Sequence, residues 1–232
     1  MLRILSFTKT GIELNEKLCK KLNNDSCAGY APKRILDRKE ELTYLPENIP
    51  EWIQEYWGVD DFLFIGAAGI AVRMIAPSVK DKYTDSAVLV MDEKAQHIIP
   101  LLSGHMGGAI PLAEQIADIT GAIPVITTAT DVQRKFAVDA FARDHYLKIA
   151  DREKAKLISV AVLEGESVGI YVEDGYPLLK QKAIKETEQY TELTDAIEAP
   201  HTALIRLSAG CAVATARLDT RYSPVRRSPS AV

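Results

Sequence analysis

An α/β fold, with a mainly parallel sheet flanked by helices and a second small α/β region, is what this sequence predicts. Two observations carry it. Short apolar runs of strand type alternate with helix-spaced apolar positions from Leu2 to Ile126. The texture then changes near Phe136, and a strand-like alternation returns over residues 167–172.

The opening run, residues 2–7, is short and apolar, as a buried strand is. Thr10-Gly11 then leads into Leu14, Leu18 and Leu22, the spacing of one helix face. Pro46 and Pro50 punctuate the chain, and residues 51–57 predict a second helix ahead of a compact strand at 62–65. Gly66-Ala67-Ala68-Gly69 turns the chain into a short helix over 70–75, which Pro77 ends. Residues 87–91 and 97–102 predict strands separated by the polar turn Asp92-Glu93-Lys94. Gly107-Gly108 opens a helix bearing Leu112, Ile116 and Ile119, stopped at Thr120-Gly121. Residues 123–126 form the next strand. Helical patterns run to Leu147 and from Asp151 to Leu163.

The expected organisation is an N-terminal α/β domain over 1–135 carrying the site loops, a central region over 136–199, and an atypical, disordered tail over 200–232. The tail differs in kind. All 16 lysines precede Pro200, whereas Arg206, Arg217, Arg221, Arg226 and Arg227 follow it among Ala, Ser and Pro. Such composition supplies no core. A basic interaction tail is the functional alternative.

Composition excludes several classes. A net charge of -4 disfavours a nucleic-acid partner, which asks for a basic surface. Apolar runs break well short of the roughly 20 residues that cross a bilayer, and the start lacks a signal peptide's long apolar stretch, so a cytoplasmic chain is expected. Cys19, Cys27 and Cys211 form no metal-ligand spacing and are expected as free thiols, and His97, His145 and His201 stand apart, so no protein-bound metal is expected.

Three polar or glycine-rich loops each follow a predicted strand: Gly66 to Gly69, Ser103 to Gly108, and Thr127 to Asp131. In an open sheet the C-terminal ends of parallel strands share one edge, so these loops converge there if the strands feeding them are parallel. In Ser103-Gly104-His105-Met106-Gly107-Gly108 the glycines let a ligand approach and expose N–H groups at a helix start, where negative charge is favoured. His105 titrates near neutral pH and can accept or donate a proton; a histidine that merely caps the helix is the alternative.

Thr127, Thr128, Thr130 and Asp131 can hydrogen-bond a polar substrate or orient a histidine, or simply form a helix N-cap with spare threonines. Gly66 and Gly69 lack the rest of a dinucleotide loop, and no P-loop exists. Arg73 and the Lys80-Asp81-Lys82 cluster can bind carboxylates, or the lysines can be plain solvated surface.

These pieces, in this order and spacing, carry a resemblance: residues 64–73, Ala76-Pro77, Lys80-Asp81-Lys82, residues 101–105 with Gly107-Gly108-Ala109, and residues 127–131 with 136–139. Together they resemble the N-terminal signature of the CbiG family, the cobalt-precorrin-5A hydrolases of anaerobic cobalamin biosynthesis. The likeness extends through Leu163-Glu164-Gly165-Glu166 and fades near residue 200. It implies opening of the δ-lactone of cobalt-precorrin-5A with release of acetaldehyde. No organic cofactor is implied, and the cobalt arrives inside the substrate. That substrate's many carboxylates would be met by Arg73, Lys80, Lys82 and the helix start after Gly107.

Lactone hydrolysis needs a base to activate water, oxyanion donors and a proton source. Chemistry, rather than the resemblance, assigns His105 as base, Asp131 as its orienting or relaying partner, and backbone N–H groups around Gly107-Gly108 as oxyanion donors. Gly66, Gly69, Ser103, Gly104 and the threonines complete the expected substrate-binding set. The family's usual C-terminal domain is not seen, which leaves open a separate partner carrying it, or a homodimer. A non-catalytic corrinoid-binding module is the runner-up. A nucleotide- or sugar-phosphate-binding α/β protein is a third reading.

Overall fold

The computed structural model describes residues 1–22, 26–36, 41–145, 147–166, 168–172, 188–190, 203–208 and 211–216. The chain divides into two units, Met1–Thr127 and Thr128–Val232.

In the first unit the strands are β1 (Leu2–Ser6), β2 (Cys27–Ala31), β3 (Thr43–Tyr44), β4 (Asp61–Ile65), β5 (Val88–Met91), β6 (His97–Leu102) and β7 (Ile123–Pro124). Its helices are α1 (Lys9–Leu22), α2 (Ile49–Tyr56), α3 (Ala68–Ile75) and α4 (Ala109–Thr120). The sheet order is β3-β2-β1-β4-β5-β6-β7. Strands β3 to β5 pair in parallel, β6 runs antiparallel to β5, and β7 is parallel to β6.

Strict alternation assigns each central strand's side chains to two cores. Leu2, Ile4, Leu63, Ile65, Leu89 and Met91 pack with α1 and α4, whereas Leu5, Phe62, Phe64, Val88 and Val90 pack with α2 and α3. Burial on both faces explains why these strands read as unbroken apolar runs.

The charged exception is Arg3, 5% exposed on β1, where Ser6 is also polar and buried. Its guanidinium donates to Asp60 Oδ2 (2.8 Å from Nε) and to the Tyr30 hydroxyl (2.6 Å), and stacks 3.3 Å from the Tyr56 ring centre. Strands β2 and β3 have weak sequence signals. A Cβ on Gly29 in β2 would lie 2.4 Å from Leu42 Cδ2 and 2.5 Å from Asn15 Oδ1, so the strand carries glycine for close packing at the expense of propensity.

The reversal at β6 has a local cause. Only residues 92–96 separate β5 from β6, whereas a parallel crossover takes about a dozen or more. The Asp92 carboxylate holds this turn by accepting the N–H groups of Lys94, Gln96 and His97 (3.0, 2.9 and 2.6 Å), and Ala95 adopts φ 54°.

The second unit contains α5 (Ala129–Val132), α6 (Val138–Asp144), β8 (Lys148–Ile149), α7 (Arg152–Glu164), β9 (Val168–Val172), β10 (Glu188–Tyr190), β11 (Ala203–Ser208) and β12 (Cys211–Ala216). Its sheet order is β10-β9-β11-β12-β8, parallel except for the β11/β12 pair. Helix α7 begins on an Asp151 cap (3.0 Å to Lys154 N–H), ends at left-handed Gly165 (φ 77°), and buries Ala155, Ile158 and Val162.

Residues 203–208 and 211–216, within the end expected to be disordered, instead form β11 and β12, which pair from Ala203/Ala216 to Ser208/Cys211 and lie between β9 and β8. Small and branched residues in both segments suit paired strands. Arginine content masked that signal. Ser167, His201 and residues 217–232, with Arg217, Arg221, Arg226 and Arg227, lie outside the described residues.

Candidate functional site

Because β6 opposes β4, the Gly66 and Ser103 loops, expected to converge, lie at opposite edges of the first sheet. Gly66 follows β4 at the edge where β1 and β5 also end. Leu102, the last residue of β6, pairs instead with Val88 at the start of β5, so the Ser103 turn sits where β1, β4 and β5 begin. Thr127 follows β7 on that same side.

The Ser103–Gly108 turn is tightly specified. Ser103 is 8% exposed with φ 55°, a left-handed conformation that costs a non-glycine residue about 1–2 kcal/mol. Its hydroxyl donates to the Asp85 carbonyl (3.0 Å). A Cβ on Gly107 would lie 2.4 Å from Ser103 Cβ, so only glycine fits there, and Gly108 is left-handed at φ 82°. His105, half-buried, is carried at the centre of this turn.

The same turn closes the start of α4. The N–H groups of Gly108, Ala109 and Ile110 donate to the carbonyls of His105, Ser103 and Gly104 (3.1, 3.2 and 3.1 Å), and Pro111 has none to give. Loop carbonyls thus occupy the amides of Gly108, Ala109 and Ile110, which takes these three out of the anion- or oxyanion-binding set expected around Gly107-Gly108.

Two further elements meet the turn. The carboxylate of buried Asp85 accepts N–H groups from Lys80 (3.1 and 3.0 Å) and Asp81 (3.0 Å) and the Trp57 indole (3.0 Å), while its carbonyl holds Ser103. The Lys80-Asp81-Lys82 segment is thus tied to the Ser103 turn through Asp85, with both lysine side chains exposed and Lys82 Nζ 4.8 Å from the Tyr83 ring. Asp61, which sequence reasoning missed, accepts the Ala87 N–H (3.0 Å), a group that also adjoins Gly107. Burial raises its carboxyl above the usual range, although the Ala87 hydrogen bond pulls the other way. The signal was the Asp60-Asp61 doublet opening an apolar strand.

At the opposite edge Gly66 has φ 154°, which favours glycine, and Gly69 lies in the first turn of α3. Arg73, exposed, folds back to the Gly69 carbonyl (2.9 Å). These residues are not brought to His105. In the second unit, Thr128 precedes α5 without a side-chain cap bond, Thr130 is 6% exposed, and its hydroxyl has no hydrogen-bond partner. Asp131 lies within α5. No group of three metal-ligating side chains occurs among the described residues, and no helix there is long and apolar enough to cross a membrane.

Comparison with known proteins adds to this geometry. A family model described as "Cobalamin synthesis G N-terminal" matches residues 51–131, the span from α2 through the Ser103 turn to Asp131. The cobalt-precorrin-5A hydrolase of Salmonella typhimurium is 47% identical over 110 residues, 47% of this chain and 31% of the relative. That of Priestia megaterium is 31% identical over 211 residues, 87% of this chain and 56% of the relative. The chain thus spans from about a third to just over half the length of these relatives. A solved cobalamin biosynthesis protein G homolog from Sulfolobus solfataricus superposes with a TM-score of 0.46 at 23% identity, over 81% of this chain and 58% of that one.

Proposed function

Since the chain belongs to the CbiG family, with residues 51–131 as its cobalamin synthesis G N-terminal segment, we propose that it serves cobalamin biosynthesis by opening the δ-lactone of cobalt-precorrin-5A. Opening frees the oxygen on the extruded, methyl-bearing carbon. As this oxygen loses its proton and becomes a carbonyl, the bond from that carbon to the macrocycle breaks with its electron pair going to the macrocycle, so acetaldehyde leaves and cobalt-precorrin-5B is formed. The observation that carries this reading is the Ser103–Gly108 turn. Its strained serine, its steric demand for Gly107 and its Asp85 anchor hold His105 in one place. Strain of this kind persists where the surroundings over-determine it, commonly at functional sites.

In this mechanism His105 takes a proton from water, which attacks the lactone carbonyl. The imidazolium so formed returns that proton to the leaving oxygen. Lys80 and Lys82, on the segment anchored by Asp85, meet substrate carboxylates at this edge. Gly66, Gly69 and Arg73 serve substrate binding elsewhere on the first unit. The reaction belongs in the cytoplasm, with cobalt carried by the substrate.

The test is acetaldehyde release on incubation with cobalt-precorrin-5A. His105→Ala should lower the rate by roughly 10²-fold to 10⁴-fold with substrate affinity retained. An active variant that is merely less stable removes His105 from the chemistry. Binding of the corrinoid with no acetaldehyde from the native chain favours a non-catalytic carrier. Asp131→Asn separately tests the role expected of that carboxylate.

A further inference from the structure

Helix α3 is apolar almost all round. Ala71 and Ile75 are buried against the sheet, with Ala68 and Met74 partly so. The outer face should then be polar, as a surface helix requires. It is not. Ile70 is 36% exposed, Val72 48% and Val79 42%, with Gly69, Ala76 and Pro77 also exposed between them.

The helical winding persists beyond the last residue of α3, since the Val79 N–H donates to the Ile75 carbonyl (3.3 Å). Val72, Ala76 and Val79 therefore follow one another at helical spacing and form a continuous apolar stripe. A second stripe holds Ile70, Arg73 and Pro77. No acidic residue occurs from Phe62 to Val79, and exposed Lys80 and Lys82 follow directly.

We infer that this outer face of α3, extended through Val79, is a docking surface for the apolar face of a polycarboxylate corrinoid, whose peripheral carboxylates meet Arg73, Lys80 and Lys82. The inference rests on the corrinoid substrate proposed above and adds where its ring lies. Charge complementarity selects this occupant. The ligand must be apolar on its face and anionic at its rim, whereas a second copy packed two-fold on the same face would set these cations against their own kind.

The experiment is an absorbance titration with cobyrinic acid, a cobalt corrinoid with free peripheral carboxylates. The chain is compared with Val72→Asp/Val79→Asp and with Val72→Ala/Val79→Ala, circular dichroism confirming the fold of each. The aspartate pair should raise Kd by about 30-fold or more and the alanine pair by about tenfold, because both bury less apolar surface against the ring and aspartate also repels its carboxylates. The fully esterified corrinoid should bind the native chain weakly.

Affinity of the aspartate pair within about threefold of native overturns the inference, as does absence of binding to the native chain. So does a native dimer, seen by light scattering, that the aspartate pair dissociates, because the face then belongs to a second copy. Acetaldehyde release is measured in parallel. Full release by a fully active aspartate pair sinks the docking face and leaves the hydrolase reading intact. Weakened corrinoid binding with no acetaldehyde from the native chain keeps the face and sinks the hydrolase.

Discussion

Gly107→Ala should be the most damaging single methyl that can be added to the candidate site. The new Cβ would lie 2.4 Å from Ser103 Cβ, 3.0 Å from the Ser103 carbonyl oxygen and 3.4 Å from the Ala87 N. The closest of these is not the tip of a flexible side chain. Ser103 is fixed by its hydroxyl bond to Asp85, by its carbonyl bond to the Ala109 N–H and by an already strained φ, so relief requires moving backbone.

Overpacking of this kind costs about 1–3 kcal/mol, and the rigidity of the neighbour puts the expected loss near the top, at about 2–3 kcal/mol. For a unit of this size that is a fall in Tm of roughly 6–12 °C. Gly108→Ala and Gly121→Ala are the controls. Both positions are left-handed with nothing within 4 Å of the added Cβ, so each should cost only about 1 kcal/mol of backbone strain. Thermal and urea unfolding of the three variants decides the matter. A Gly107→Ala chain that melts with its controls, or within about 1 °C of native, refutes the packing argument and with it the claim that this turn is held rigid.

Asp60→Ala should destabilise the first unit by about 3–5 kcal/mol, because Arg3, with a side chain only 6% exposed, loses its carboxylate partner at 2.7 Å. Urea midpoints measure this, and Arg3→Met with Asp60→Leu should recover most of the loss; an additive double variant would show that the ion pair is not the cause. The Cys19 thiol is pushed up to about 12, first by burial and then by neighbouring Cys27. Iodoacetamide at pH 8 should therefore leave Cys19 unmodified in the native chain and label it quickly in urea, and equal labelling rates by peptide mass spectrometry would contradict its burial.

Much of the fold was legible from local pattern. The runs at Leu2, Phe62 and Val88 are apolar at every position but Arg3 and Ser6 because α1 and α4 cover one face and α2 and α3 the other. Strand β2 was not legible, since Cys27-Ala28-Gly29-Tyr30-Ala31 trades propensity for the close approach of Asn15 and Leu42. The pairing of β11 and β12 was hidden by composition: the arginines and prolines around them drew the reading towards disorder.

The sequence alone determined the layer type and the family, because periodicity and motif spacing are short-range properties. Only the tertiary structure decided which loops share an edge. One short turn at Asp92 reverses β6 and carries the Ser103 turn away from Gly66 and Gly69. It also decided which amides are occupied at the start of α4 and which carboxyl, Asp61, stands beside the turn. The Asp61 carboxyl is placed by a pairing with Ala87, 26 residues away, which no short window of sequence contains. The reversal of β6 and the occupied amides of α4 rest instead on short-range bonds whose geometry apolar periodicity does not encode.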